Sequence, residues 1–295
     1  MRIAVVGLGG VGGYLAACLT KTPEEVIGFA RGRHLAKIKE DGLRIVEDDT
    51  SWNADLRVKE LNEAEGHFDI VLFCVKSYDL KDSYEAISEN INSNSILVSF
   101  SNGVNHGDTL RSLSNASVLD GCIYILSHLQ EPGVIRKKGR VFAAVFGGET
   151  KAARILKEVF EKADLRSKTP EDIKTALWKK YIFISAFATL TTYYDKSIGY
   201  VYEHHFAEAE GVLNEIAEVA KTKAIELFDE VQKSLETAAK VPYDSSTSMH
   251  LDFTNKKRDE LETLSGYILK EAKKENVQVP LMQKMYGELL KKHRY

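Results

Sequence analysis

A chain of 295 residues with 44% hydrophobic side chains is long enough for two domains, or one large one, and apolar enough to bury a sizeable core. Its 40 basic and 43 acidic side chains leave a net charge of −3, which excludes the strong field that would hold nucleic acid or an anionic membrane. No run of about 18 apolar residues and no leader pattern occurs, so a cytoplasmic protein without a membrane span is expected. Cys18, Cys74 and Cys122 are odd in number and lie among apolar neighbours, and they read as buried free thiols in a reducing compartment.

Residues 2–6 form a short apolar run ending in glycines, residues 11–20 suit a helix, and residues 25–30 restore a strand pattern. Residues 68–75 and 95–100 are further apolar runs, separated by a helical stretch at 80–90. Continuous apolar strands of this kind suit a parallel sheet covered on both faces. Beyond Ser117, residues 118–129 are strand-like, and 134–135 and 141–146 flank a basic turn at 136–140, an antiparallel addition that closes the domain. Residues 149–163 make an amphipathic helix. The stretch Lys168-Thr169-Pro170-Glu171 marks the boundary, because proline restricts Thr169 and suits the first turn of a new helix. From there to Tyr295 the pattern is helical. The expected fold is an α/β Rossmann-type N-terminal domain over residues 1–168 and an all-α C-terminal domain over 169–295.

The first strand-to-helix turn carries Gly7, Gly9 and Gly12 in G-x-G-x-x-G spacing. Gly7 permits the tight turn, Gly9 admits a pyrophosphate to the backbone, and Gly12 lets the helix pack close to the strand with its N–H groups facing the anion. An NAD site places an acid about 20 residues on. Arg31 stands there instead, with Arg33 near it and no acid between Ala30 and His34, so a 2′-phosphate is the better partner and NADPH the preferred cofactor. A solvated strand-end arginine is the plainer alternative. Lys76 and Asn102 stand at the ends of later apolar runs, where open sheets bind ligands, although either also reads as a polar loop residue.

In Ala176-Leu177-Trp178-Lys179-Lys180-Tyr181-Ile182-Phe183-Ile184, Lys180 shares its helix side with Leu177, Phe183, Ile184 and Phe187. Partial desolvation there would suit a lysine that gives up a proton. Periodicity does not separate Lys180 from Lys179, and a lysine with its stem on apolar surface and its head in water fits the same pattern. His204-His205 has no third ligand at metal spacing, so no metal is expected. Phe183, Phe187, Tyr193, Tyr194, Tyr200 and Tyr202 read as packing residues rather than a stacking platform. Lys291-Lys292-His293-Arg294 reads as cations that suit a helix end.

The glycine-rich start, Phe29-Ala30-Arg31, Cys74-Val75-Lys76-Ser77-Tyr78-Asp79, Ser101-Asn102-Gly103, Leu177-Trp178-Lys179-Lys180, Ser248-Met249, Glu260, Gly266 and Val279-Pro280 occur in an order that resembles the ketopantoate reductase family. That resemblance implies a Rossmann domain joined to a helical domain like the C-terminal domain of 6-phosphogluconate dehydrogenase. It implies an active site in the cleft between them, a homodimer, and NADPH-dependent reduction of ketopantoate to pantoate in pantothenate biosynthesis. It also implies Lys180 as proton donor, Arg31 and Lys76 at the adenosine end, and Asn102 on both nicotinamide and substrate. Ser127 becomes a cofactor contact, Ser248 and Ser245 substrate contacts, and Glu260 a residue reaching both cofactor and lysine.

By residue pattern alone, Glu260 would pass for an exposed ion-pair partner of Lys256 and Lys257. Members that reduce ketopantoate carry asparagines where this chain has Ile184, Ala188, Ile198 and Ser245. Losing amides that pair with a substrate hydroxyl changes what fits. Three readings follow: a reductase of ketopantoate, a reductase of another keto acid or an imine, and an NADPH-binding regulator with little catalysis.

Overall fold

The computed structural model describes residues 1–292, so His293 and Arg294 of the basic tail lie outside the described residues. The chain divides into two contact units: residues 1–101 with 105–173, and residues 102–104 with the chain from Lys174 on. The division falls at Ile173/Lys174, a few residues beyond the proline-marked boundary.

In the first unit, β1 (Arg2–Val6), β2 (Glu25–Phe29), β6 (Ile70–Phe73) and β7 (Ile96–Ser99) supply the parallel sheet, with α1 (Gly10–Leu19), α2 (Gly32–Asp41) and α3 (Leu80–Ile87) between them. Short strands β3 (Leu43–Glu47), β4 (Thr50–Ala54) and β5 (Arg57–Lys59) follow α2, and α4 (His106–Leu113) follows β7. Long strands β8 (Ser117–Glu131) and β9 (Val134–Gly147) come next, then α5 (Thr150–Lys162) and the two-residue β10 (Ser167–Lys168). The sheet order is β4-β3-β9-β8-β7-β6-β1-β2-β5, with β10 also on β9. Only β3/β4 and β8/β9 are antiparallel.

Side-chain alternation splits the core across the sheet. Ile3, Val5, Leu72 and Val98 pack on one face, and Ala4, Val6, Val71 and Leu97 on the other. The mixed sheet curls, so that α1 touches β1, β2, β3, β4, β8 and β9 and buries Gly12 through Leu19.

Three expectations change here. The β8–β9 hairpin turns at Pro132-Gly133, with Gly133 at φ 83, and not at the basic residues 136–140. Proline presets its own φ and glycine takes the positive one, which suits a two-residue turn. The basic residues lie within β9, but residues 138–141 leave its ladder with β8: Ile125 pairs with Phe142 and Ser127 with Lys137, and 138–141 bulge between them with Gly139 at φ 62. Lys137 turns inward to pair with Glu47 at 3.3 Å. Glu47 also accepts hydrogen bonds from Trp52 Nε1 (3.0 Å) and Tyr14 OH (3.2 Å). Burial opposes its charge, yet the bonds from Trp52 and Lys137 hold the carboxyl below its usual range. Strands β3 and β4 escape the periodicity because β4 is an edge strand with Ala54 as its one buried residue. Finally, Cys18 and Cys122 are buried but Cys74 is only half-buried; none of the three forms a disulfide.

The second unit is helical: α6 (Ile173–Tyr194), α7 (Ile198–His204), α8 (Phe206–Lys221), α9 (Phe228–Lys240), α10 (Ser248–Thr254), α11 (Tyr267–Glu275) and α12 (Pro280–Lys292). Helix α6 starts three residues past Pro170, so that proline lies in the connection rather than in the first turn. A π-helical turn, Glu262–Gly266, precedes α11. Its wider winding frees carbonyls that α6 satisfies: Tyr181 OH donates to Thr263 O (2.8 Å) and Leu264 O (3.0 Å), and Ser185 Oγ donates to Leu264 O (2.6 Å). Thr189 Oγ1 and Ser265 Oγ share a further bond of 2.7 Å. These α6 residues recur every four positions and form a polar ladder inside an otherwise apolar core.

The buried Glu215 of α8 accepts the N–H groups of Leu281 (2.7 Å) and Met282 (2.8 Å), satisfying donors in the first turn of α12. Glu215→Ala leaves both amides unpaired, and its expected cost is about 2 kcal/mol of stability. A lowered melting midpoint with a correctly folded first unit checks it; an unchanged midpoint would mean that water replaces the carboxylate at no cost.

Candidate functional site

The glycine turn, Arg31 and Lys76 all follow the carboxyl ends of parallel strands, namely β1, β2 and β6, which is where open sheets bind ligands. Gly7 has φ 92, a conformation that side chains other than glycine rarely adopt. A Cβ on Gly12 would overlap the Gly7 carbonyl oxygen and lie 2.7 Å from Cys74 Cβ, so α1 can approach β1 only without one. Gly9 differs: a Cβ there would meet nothing within 4 Å. The space above Gly9 is open, and the fold itself has no use for a glycine at that position.

Gly10, which the spacing argument passes over, has its own constraint. Its Cβ would lie 2.6 Å from the Ser127 carbonyl carbon and 2.7 Å from His128 Cα. Strand β8 therefore crosses directly against the N-terminus of α1. At that crossing the Ser127 hydroxyl oxygen is buried without a hydrogen-bond partner among the described residues. An orphaned buried hydroxyl beside an open glycine cradle suits a polar ligand. Together these two observations fit a dinucleotide.

Arg31 caps α2 with an extended backbone, and its side chain is 87% exposed. One guanidinium nitrogen, Nη2, lies 3.1 Å from Asp79 Oδ2. Asp79 closes the 3-10 turn Ser77–Asp79, whose cap is Lys76, and its N–H donates to the Lys76 carbonyl at 2.9 Å. The structure thus brings Arg31 and the Lys76 turn together through a carboxylate that the sequence reading did not use. Arg33 is exposed on α2. Burial pushes the Cys74 thiol beneath the turn up to about 12, which leaves it an un-ionised neighbour.

In the helical unit, the structure separates the two adjacent lysines. Lys179 is exposed and lies 3.8 Å from Glu230. Lys180 is half-buried, and its Nζ donates to Asn102 Oδ1 at 3.2 Å. Asn102 belongs by contacts to the same unit as Lys180, 78 residues away in sequence. Tyr181, next to Lys180, is the anchor that seats α6 on the π turn. Glu260 is 3% exposed, and its carbonyl receives the Leu264 N–H at 2.9 Å at the entrance to that turn. Burial rules out the exposed ion-pair reading of Glu260. Lys256 has φ 54 and lies outside any helix, so it is not one turn before Glu260.

Ser245 is half-buried and accepts the Ile198 N–H through its carbonyl at 2.8 Å; Ser248 is exposed at the start of α10. Ala188 and Ile198 are buried in the helical core, and Ile184 packs against it from a half-buried position. Phe183 and Phe187 lie 4.8 Å apart as core packing. His205 stacks on Tyr194 at 3.5 Å, and His204 tilts against Tyr200 at 4.3 Å. Among the described residues, no group of His, Cys, Asp or Glu is placed to hold a metal ion, and no helix is long and apolar enough to cross a membrane.

Comparison with known proteins covers nearly the whole chain. The family model described as Ketopantoate reductase PanE/ApbA matches residues 3–148, and the one described as Ketopantoate reductase PanE/ApbA C terminal matches residues 172–293. A Bacillus subtilis protein named uncharacterized oxidoreductase YkpB is 28% identical over 298 residues, spanning 98% of each chain. A crystal structure of 2-dehydropantoate 2-reductase from Porphyromonas gingivalis is 32% identical, covers 98% of this chain and 99% of that one, and has a TM-score of 0.85. That of a PanE/ApbA family ketopantoate reductase from Ralstonia eutropha is 28% identical, covers 99% and 98%, and has a TM-score of 0.92.

The contrast between two glycines is testable. Gly9→Ala is expected to leave the melting midpoint unchanged within about 0.5 kcal/mol while weakening dinucleotide binding at least tenfold, because its methyl group enters the open cradle. Gly12→Ala is expected to lower the midpoint, by about 2 kcal/mol or more. Calorimetry and nucleotide titration on both variants check this; a destabilised Gly9→Ala would reverse the assignment.

Proposed function

Because this chain belongs to the ketopantoate reductase family, an oxidoreductase family acting on CH–OH donors with NAD(P)H, we propose that it uses NADPH to reduce a 2-keto acid to the 2-hydroxy acid. The observation that carries the reading is the Lys180–Asn102 hydrogen bond, which sets a half-buried ammonium beside an amide able to orient a ligand. Residues 1–168 serve the cofactor, and residues 169–295 serve substrate and dimerisation.

Gly7, Gly9 and Gly12 shape the pyrophosphate cradle, and the unpaired Ser127 hydroxyl offers it a donor. Arg31 takes the 2′-phosphate on the nitrogens that Asp79 leaves open, and Lys76 completes the adenosine end. With its pyrophosphate held by Gly7, Gly9 and Gly12, the dinucleotide would supply the hydride for the carbonyl carbon. Lys180 Nζ gives its proton to the carbonyl oxygen as the C–O π bond breaks, and the resulting amine regains a proton from water. Asn102 orients both the ring carboxamide and the substrate, Glu260 holds Lys180 and reaches the cofactor, and Ser245 and Ser248 bind the substrate carboxylate. The protein works in the cytoplasm as a homodimer.

Ketopantoate, reduced to pantoate for pantothenate synthesis, is the first substrate to try. A second reading has a specific observation behind it. Ala188 and Ile198, at positions that hold asparagine in ketopantoate reducers, are closed into the apolar core, so no amide answers a substrate hydroxyl there. A keto acid or imine with an apolar side chain suits such a site better.

Oxidation of NADPH followed by absorbance across a panel of 2-keto acids, ketopantoate included, decides between them. Lys180→Ala is expected to lower kcat by roughly 100- to 10,000-fold with the cofactor Kd unchanged; full turnover in that variant would remove the proton-donor role. Arg31→Ala is expected to reduce the NADPH over NADH preference by about tenfold or more, equivalent to about 1.4 kcal/mol. A preference left unchanged would show that the 2′-phosphate binds elsewhere.

A further inference from the structure

His34 stands in the first turn of α2, three residues after Arg31, and bonds at both ring nitrogens to segments far away in sequence. Its Nε2 lies 2.8 Å from the carbonyl oxygen of Leu8, inside the glycine turn. The N–H of Gly133, at the tip of the β8–β9 hairpin, donates to its Nδ1 at 2.9 Å across 99 residues. A carbonyl only accepts and a backbone amide only donates. Both bonds therefore require one protonation state, the neutral ring with its hydrogen on Nε2.

The hairpin that His34 grips is the same one that presses Ser127 and His128 against Gly10. Its tip is held from the other side by Arg44, whose N–H donates to the Gly133 carbonyl at 2.9 Å. Gly133 itself has φ 83, which glycine takes without steric cost. The ring thus joins three pieces of the cofactor platform: the glycine turn, the helix that begins at Arg31, and the strand carrying Ser127. Beside the hairpin tip, Arg33, Lys37 and Glu40 of α2 and Glu131 and Pro132 of the hairpin line one hollow, which His34 does not line. The glycine turn contributes no charged group, and the Arg44 guanidinium of β3 is engaged with Ser51 at 3.1 Å.

We propose that His34 is the positioning residue of the dinucleotide site: the neutral imidazole ties the glycine turn to the hairpin, and proton uptake at Nδ1 breaks that tie and weakens nucleotide binding in acid. An imidazolium turns Nδ1 into a second donor facing the Gly133 N–H, so the bond becomes a repulsion and the hairpin moves off the turn. Burial holds His34 below its ordinary 6.5, with the Leu8 carbonyl acting weakly the other way. A histidine with a depressed pKa in the folded state contributes stability that is complete above the unfolded value and is lost as pH falls from there. The nearby phosphates would by themselves favour the imidazolium and tighten binding in acid, so the sign of the pH dependence separates the two effects. The inference rests on the glycine turn binding a dinucleotide and is independent of the 2-keto acid and of the choice between NADPH and NADH.

NADP+ binding by calorimetry between about pH 5.5 and 8, on the wild type and three variants, tests it. His34→Asn keeps an acceptor towards Gly133, His34→Gln keeps a donor towards Leu8, and His34→Ala keeps neither. Wild-type Kd is expected to rise by a few fold, and by less than about tenfold, as pH falls across the window, with a fraction of a proton released per binding event. His34→Asn and His34→Gln are expected to lose that pH dependence, and His34→Ala to bind about tenfold more weakly at neutral pH, with a cofactor-free melting midpoint that falls in His34→Ala and falls less in the two polar variants. Faster hydrogen exchange of the Gly133 amide in acid, in the wild type alone, is the expected ligand-free signature. Neutral-pH affinity unchanged in His34→Ala, or an acid slope that survives in both polar variants, overturns the positioning role. A wild type that bound neither NADP+ nor NAD+ at neutral pH would overturn the reading of the glycine turn instead, and the positioning role with it.

Discussion

The first unit is organised by how close backbones come to each other at one turn. Helix α1 enters the sheet with Gly12 against the Gly7 carbonyl, and β8 passes the start of the same helix with Ser127 against Gly10. Neither approach leaves room for a single methyl group, and densely packed interiors cannot absorb that loss by small adjustments. The curl of the sheet follows, because β8 and β9 must bend over α1 to reach β3 and β4. So does the placement of Ser127 and of the hairpin tip that His34 grips. The open space at Gly9 is what remains when every neighbouring glycine is consumed by packing.

The helical unit is held by a different device, a buried polar ladder in an apolar core. Tyr181, Ser185 and Thr189 project from α6 onto carbonyls and a hydroxyl exposed by the π turn. A fully satisfied buried network is specific in a way that hydrophobic contact is not, since a slipped register strands donors without acceptors. Its consequence is local precision. Lys180 sits next to the first rung, and Glu260 opens the turn that receives the ladder. Two ionisable residues separated by 80 positions are thus referenced to one set of hydrogen bonds.

Charge at the nucleotide end is shared more than the motif suggests. Arg31 is exposed and already faces Asp79, so an anion arriving there would meet a guanidinium with one nitrogen engaged and a carboxylate nearby. A guanidinium has five donors and can serve both partners at once. The contact also pre-orients a long side chain that would otherwise lose rotamer freedom on binding. Under the proposed function, cofactor preference would belong to the Arg31–Asp79 pair and not to Arg31 alone.

Much of the architecture was legible in the residues alone, because its signals are local. The glycine spacing, the apolar runs that became β1, β2, β6 and β7, the arginine after β2 and the long helical tail need only a few neighbouring positions to be read. The misread parts depended on partners distant in sequence. The hairpin turns at Pro132-Gly133 although the basic residues 136–140 look more like a turn, because Lys137 finds a half-buried acid, Glu47, on another strand. Lys180 and Lys179 are equivalent by periodicity until Asn102, 78 residues away, takes one of them. Glu260 resembles a surface acid until the π turn buries it, and His34 resembles a helix-surface histidine until Leu8 and Gly133 fix its tautomer. Chain sequence determined which segments could form strands, helices and a dinucleotide turn. The tertiary fold alone decided which polar groups meet, since a hydrogen bond depends on the position of both partners and a sequence pattern describes only one neighbourhood at a time.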